Sequence, residues 1–166
     1  MDTKSLIAYS KVYEHILGEL PNSNDYDDRI IAQKIGYLVQ DMGVYLGEMN
    51  FFWHKRGPYS RTLASALRYF EVNKESFIID CSRVKIYDVI IPKLDHLKKL
   101  INLRPTNCSV LIWLEICASL KFLSKEFTTT EIDFLSVILL KRKPFLLPYK
   151  DDIYKSWKIM NNSILN

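Results

Sequence analysis

Apolar residues recur every three or four positions along most of the chain, a spacing that predicts helices. Thr3–Leu20 carries Leu6, Ile7, Tyr9, Val12, Tyr13, Ile16, Leu17 and Leu20 in this pattern, which predicts an amphipathic first helix. Pro21–Asp25 (PNSND) ends it and offers a cap for the next. Asp25–Met42 is the second predicted helix, with Ile30, Ile31, Ile35, Leu38, Val39 and Met42 on one face. Its acidic start (Asp25, Asp27, Asp28) suits the positive end of a helix dipole. Gly36 within it costs roughly 1 kcal/mol relative to Ala, as happens where two helices approach closely. Gly43 is placed as the C-cap.

The pattern then changes. Val44–Trp53 (VYLGEMNFFW) is rich in β-formers and broken by Gly47, predicting a short strand or an extended connection. His54–Tyr59 reads as a Gly-Pro loop, and Ser60 as the N-cap of a helix over Arg61–Val72 with Leu63, Leu67 and Phe70 inward. Between Glu75 and Ile86 the signals mix: Phe77–Asp80 reads as a brief strand, and Val84–Ile91 as the start of a helix. From about Asp88 to Leu103 the spacing is helical, provided Pro92 falls in the first turn, and Lys93, Lys98 and Lys99 share its solvated face. After a turn at Pro105–Asn107, Val110–Leu123 (VLIWLEICASLKFL) is apolar enough to be the central buried helix. Thr128–Glu131 matches a capping box that opens a helix to about Leu140, and Lys141–Pro144 ends it with cations suited to a helix C-terminus. Lys150–Leu165 is the last predicted helix, presenting Ile153, Trp157, Met160 and Ile164. No repeat or linker divides the chain. The expectation is one domain over residues 1–166, a mainly α bundle of about six to seven helices with a minor β element.

Composition narrows the class. With 166 residues, 48% apolar and 25% charged, the chain is long enough to bury a core and balanced like an ordinary soluble domain. No stretch nears ~20 consecutive apolar residues, and Met1–Leu20 has no signal-peptide core. Cys81, Cys108 and Cys117 show no CxxC spacing; Cys108 and Cys117 flank the apolar run and read as buried thiols in a reducing compartment. The expected location is cytoplasmic. Net charge is only +4, but residues 51–105 hold eleven Lys/Arg against five Asp/Glu, while residues 1–50 hold four against eight. A basic middle third suits an acidic protein partner or phosphate, and it falls short of a dedicated nucleic-acid binder.

The densest chemistry lies at His54-Lys55-Arg56-Gly57-Pro58-Tyr59-Ser60-Arg61. Lys55, Arg56 and Arg61 supply charge and bidentate donors, and the amides of the following helix could meet an anion. Gly-Pro-x-Ser serves equally as strand-to-helix punctuation, so a binding loop and a structural turn both stand. No Walker loop, hydrolase elbow, dinucleotide fingerprint or zinc spacing is present, so neither cofactor nor metal is expected. Ser60 and His54 lack an orienting carboxylate at a recognisable spacing, while His15 and His96 have no ligand partners and read as packed or surface residues. An element order of helix, turn, strand, loop and helix also invites comparison with a winged helix.

Gln33-Lys34-x-x-Tyr37-Leu38-x-Gln40-x-x-Gly43, Phe52 and Gly57-Pro58-Tyr59-Ser60-x-x-Leu63, with Ser119-Leu120-x-Phe122-Leu123 and Lys143-Pro144-Phe145, resemble the YwgA-like bacterial proteins. More distantly they resemble the Panacea antitoxin domain and the SocA-type proteolytic adaptor. The resemblance spans roughly residues 30–160. It implies a compact helical domain without catalysis that acts by binding proteins, including neutralisation of a cognate toxin. The resulting expectation is a non-enzymatic, protein-binding regulatory module whose contact includes Trp53, His54, Lys55, Arg56, Tyr59, Ser60 and Arg61. The alternative is a DNA- or RNA-binding regulator using the same basic segment.

Overall fold

The computed structural model describes residues 1–162. Its elements are α1 (Thr3–Leu17), α2 (Tyr26–Asp41), a hairpin of β1 (Phe52–His54) and β2 (Gly57–Tyr59), α3 (Arg61–Val72), α4 (Lys74–Ser82), α5 (Ile91–Asn102), α6 (Val110–Glu126), α7 (Ile132–Arg142) and α8 (Lys150–Met160). Short 3-10 turns at Asp88–Ile90 and Pro144–Tyr149 lead into α5 and α8. The fold is mainly α with a minor antiparallel β element.

Caps set the helix ends as their residue types dictate. Asp2, Asp25, Ser60 and Ser109 each accept a hydrogen bond from an amide in the first turn of α1, α2, α3 and α6. Gly18, at φ 84°, stops α1 three residues before Leu20, the expected end.

Four expectations are corrected. His54–Tyr59 is not a loop: Gly57–Tyr59 forms β2 and pairs with Phe52–His54, while Val44–Phe51 is a connection without a strand, the second of its two readings, turned at Gly47 (φ 95°). Phe77–Asp80 is helical within α4, the eighth helix beyond the seven the pattern outlines, since Phe77 and Cys81 lie four apart and both bury against α1 and α3. The Thr128–Glu131 capping box is not made: Thr128 sits at φ 50°, Glu131 is the cap residue without a side-chain bond, and Thr129 Oγ1 accepts from the Glu131 amide instead. Helix α8 ends at Met160; the expected continuation through Leu165, with Ile164, reaches beyond the described residues.

Helix α6 is the axis. Trp113 through Leu120 are buried on every side, and α2, α5, α7, α8 and the hairpin all pack on it. Trp113 is fully buried and its indole N–H donates to Leu100 O of α5 at 2.9 Å. Ala32 through Val39 of α2 are likewise buried, and the Tyr9 hydroxyl of α1 donates to Ala32 O at 2.6 Å. A Cβ on Gly36 would lie 2.7 Å from Leu63 Cδ2 and 3.4 Å from Tyr9. Close approach of α2 and α3 therefore requires the glycine.

Gly36→Ala tests this packing. Helix propensity alone favours Ala by roughly 1 kcal/mol, but Leu63 is wholly buried and has little room to yield. Overpacking costs typically about 1–3 kcal/mol, so the variant should show a net loss of stability in urea unfolding.

Candidate functional site

The hairpin divides the basic-aromatic segment between two faces. Side chains alternate along strands, so Phe52, His54 and Tyr59 face a groove while Trp53 turns towards α6. Lys55 and Arg56 make the two-residue turn, and Gly57 follows at φ 84°, a left-handed position that favours glycine. The groove has a volume of about 690 Å³ and runs between α2 and α3 with the hairpin as its end wall. Residues spaced at three and four place Tyr26, Arg29, Gln33 and Lys34 on the α2 side and Arg61, Ala64, Arg68 and Glu71 on the α3 side.

Its lining is cationic and aromatic. Arg29, Lys34, Arg56, Arg61 and Arg68 face one carboxylate, Glu71, which is already engaged by the Ser23 amide at 2.8 Å and Asn24 Nδ2 at 3.3 Å. His54 and Tyr59 rings lie 5.0 Å apart, Phe52 meets Tyr59 edge-on at 5.8 Å, and the Arg61 guanidinium sits 5.0 Å above Phe52.

Beneath the floor lies a buried charge cluster. Glu115, fully buried on α6, accepts Arg56 Nε and Nη2 at 2.7 Å each and Lys143 Nζ at 3.0 Å. Lys143 also donates to Ser119 Oγ at 3.0 Å. Lys34, 1% exposed, donates to Pro58 O at 2.9 Å. Gln33 clamps the start of α3 by donating to Ser60 O at 2.9 Å and accepting from Ser60 N at 2.7 Å. A Cβ on Gly57 would lie 2.7 Å from Ser119 Oγ and 2.8 Å from Lys143 Nζ, so the hairpin closes on the cluster only with glycine there.

Burial works to raise the Glu115 carboxyl, but the Arg56 and Lys143 bonds outweigh it and hold it below the usual carboxylate range. The Glu115 bond keeps Arg56 above its ordinary value. Burial, with Arg56 adding to it, pulls Lys143 down to about 8. Burial, then the neighbouring charge of Lys143, pulls Lys34 down to about 7.

The segment singled out in the sequence is thus distributed over three environments. His54, Tyr59 and Arg61 line the groove. Lys55 is exposed at the hairpin tip. Trp53 packs 5.7 Å from Phe122 and beneath Arg142 and Lys143; Ser60 is buried as the α3 cap; and Arg56 spans groove and cluster. Lys143, expected at the end of α7, is its C-cap residue and is buried. Pattern reading did not place Glu115, Tyr26 or Arg29 at a site, and Lys34 and Ser119 entered only through the resemblance. Glu115 had a signal: a lone carboxylate inside an apolar run must find a buried cation.

No family model matches the chain, and no curated protein or solved structure matches it. Among the described residues no group of three or more His, Cys, Asp or Glu is placed to hold a metal ion, and no helix is long and apolar enough to cross a membrane.

Two outcomes follow from the cluster. Glu115→Gln leaves Lys143 and Arg56 without their carboxylate and should cost about 3–5 kcal/mol, read as a lower urea midpoint. For Lys34, the unfolded chain holds a proton that the native state sheds between about 7 and the ordinary 10.5, so its contribution to native stability rises with pH in that window. The stability of the wild type relative to Lys34→Met should therefore improve as pH rises from about 7 towards about 9, measured by denaturation of both proteins across that range.

Proposed function

We propose that this chain is a non-enzymatic protein-binding regulatory module, antitoxin-like in its mode of action, whose groove takes an acidic segment of a partner protein. The observation carrying this reading is the groove lining: five cationic side chains against one already engaged carboxylate, interleaved with Tyr26, Phe52 and Tyr59. A concave basic site focuses its field on acidic partners and accelerates their encounter, and Tyr and Arg are favoured anchors of protein interfaces. Ser60 is buried and occupied as a helix cap, which supports a role without nucleophilic chemistry at that hydroxyl. The resemblance to the YwgA-like and Panacea proteins supports the same reading. Of its quoted positions, Gln33, Lys34, Gly57 and Tyr59 line the groove, and Ser119 and Lys143 lie in the cluster beneath it.

Arg61 and Arg68 are exposed, so reversing them spares the core. In affinity purification from the native host, with the bound protein identified by mass spectrometry, Arg61→Glu/Arg68→Glu should weaken capture at least about tenfold, equivalent to ~1.4 kcal/mol. Unchanged capture of the same partner would overturn the proposal. Recovery of nucleic acid alone, with affinity falling steeply with salt, would replace it with the nucleic-acid-binding alternative.

A further inference from the structure

The buried cluster holds two more basic side chains than acidic ones. Three cationic side chains, Lys34, Arg56 and Lys143, converge on one carboxylate, Glu115, and buried charge is costly unless paired. Lys143 is served by Glu115 and Ser119. Lys34 has only the Pro58 carbonyl for its three donors, although it is 99% buried and borders the groove. Arg56 commits Nε and Nη2 to Glu115 and also interacts with the Tyr26 hydroxyl, on a side chain that lines the groove.

We propose that the groove floor is an anion-binding site, in which an oxyanion of the bound segment, carboxylate or phosphoryl, sits between Lys34 and Arg56 and offsets the surplus charge of the cluster. This rests on the groove being the binding site of the module and adds the chemistry that anchors the occupant. The arrangement recruits charge from separate elements: the groups facing Lys34 are Arg56 of the hairpin, Glu115 of α6 and Lys143 at the end of α7. In the free protein the surplus is relieved by weakening the hold of Lys34 on its proton. An oxyanion beside the amine restores that hold, so occupancy and protonation are linked. The aromatic wall of Phe52 and Tyr59 then receives the apolar part of the same segment, and the carbonyl of Pro58 keeps the amine aimed from below.

The test is a nuclear magnetic resonance titration of the full chain with sodium phosphate, sodium acetate or sodium chloride at matched ionic strength, following backbone amides and the lysine Cε resonances. The expected result is saturable movement of the Gly57 and Tyr59 amides together with a rise in the titration midpoint of Lys34. Phosphate alone identifies a phosphoryl anchor, acetate alone a carboxylate, and both a site for either. Movement that matches chloride, or that spares Lys34, overturns the proposal. Lys34→Met should abolish the saturable response and Arg68→Gln should retain it; the wild-type titration decides even where Lys34→Met fails to fold. Anion uptake with partner capture indifferent to Arg61→Glu/Arg68→Glu would sink the module reading and leave the anion site. Lost capture without anion uptake would do the reverse.

Discussion

Glu115 stands midway along a helix whose neighbouring residues are all buried, and its ionised carboxylate has to be met by cations brought from elsewhere in the chain. Arg56 arrives from the hairpin and Lys143 from the residue after α7, 59 and 28 positions away in sequence. Removing either partner leaves a charge in a low-dielectric interior, which costs far more than the pair contributes when intact. The constraint therefore acts chiefly as a registration device: it holds the hairpin and the α7 terminus at defined positions on α6. The glycine after the hairpin turn belongs to the same constraint, because any side chain at Gly57 would strike Lys143 and Ser119.

The groove is the solvent-facing consequence of that registration. Once Arg56 is drawn down to Glu115, the two-residue turn and the alternation of strand side chains set Phe52, His54 and Tyr59 on the outer face and send Trp53 inward. Gln33 fixes the other wall by gripping both backbone polar groups of Ser60, so α3 starts at a set distance from α2. The buried cluster and the groove lining are thus parts of one structure, with Lys34 and Arg56 belonging to both. In the proposed binding mode, support from beneath by a buried network would keep the entropy lost on binding small, since the side chains are already ordered.

Much of the fold is legible along the chain. Helical spacing, Asp25 and Ser60 as caps, Pro92 in a first turn and the uninterrupted apolar run of α6 all act locally, and each has its expected role. The failures are equally physical. Phe77–Asp80 is β-prone in isolation, yet burying Phe77 and Cys81 on one side demands helical spacing, and tertiary burial overrides local preference. Thr128–Glu131 has the composition of a capping box, but the chain enters α7 through a left-handed Thr128 that directs the cap elsewhere.

What the sequence determined by itself is what depends on near neighbours: the helices, their caps, the helical class of the domain and the basic-aromatic character of residues 53–61. Which of those residues meet solvent was decided by tertiary structure alone. Lys34, Arg56 and Lys143 look like ordinary surface cations in a one-dimensional reading. Arg56 and Lys143 are drawn inward onto a single buried carboxylate distant in sequence from both, and Lys34 onto the Pro58 carbonyl; for the two lysines the loss of hydration outweighs the pull of Glu115 and weakens their hold on a proton. Long-range electrostatics in a low-dielectric core leaves no periodic trace along the chain, and so the floor of the groove became visible only when α2, the hairpin, α6 and α7 were brought together.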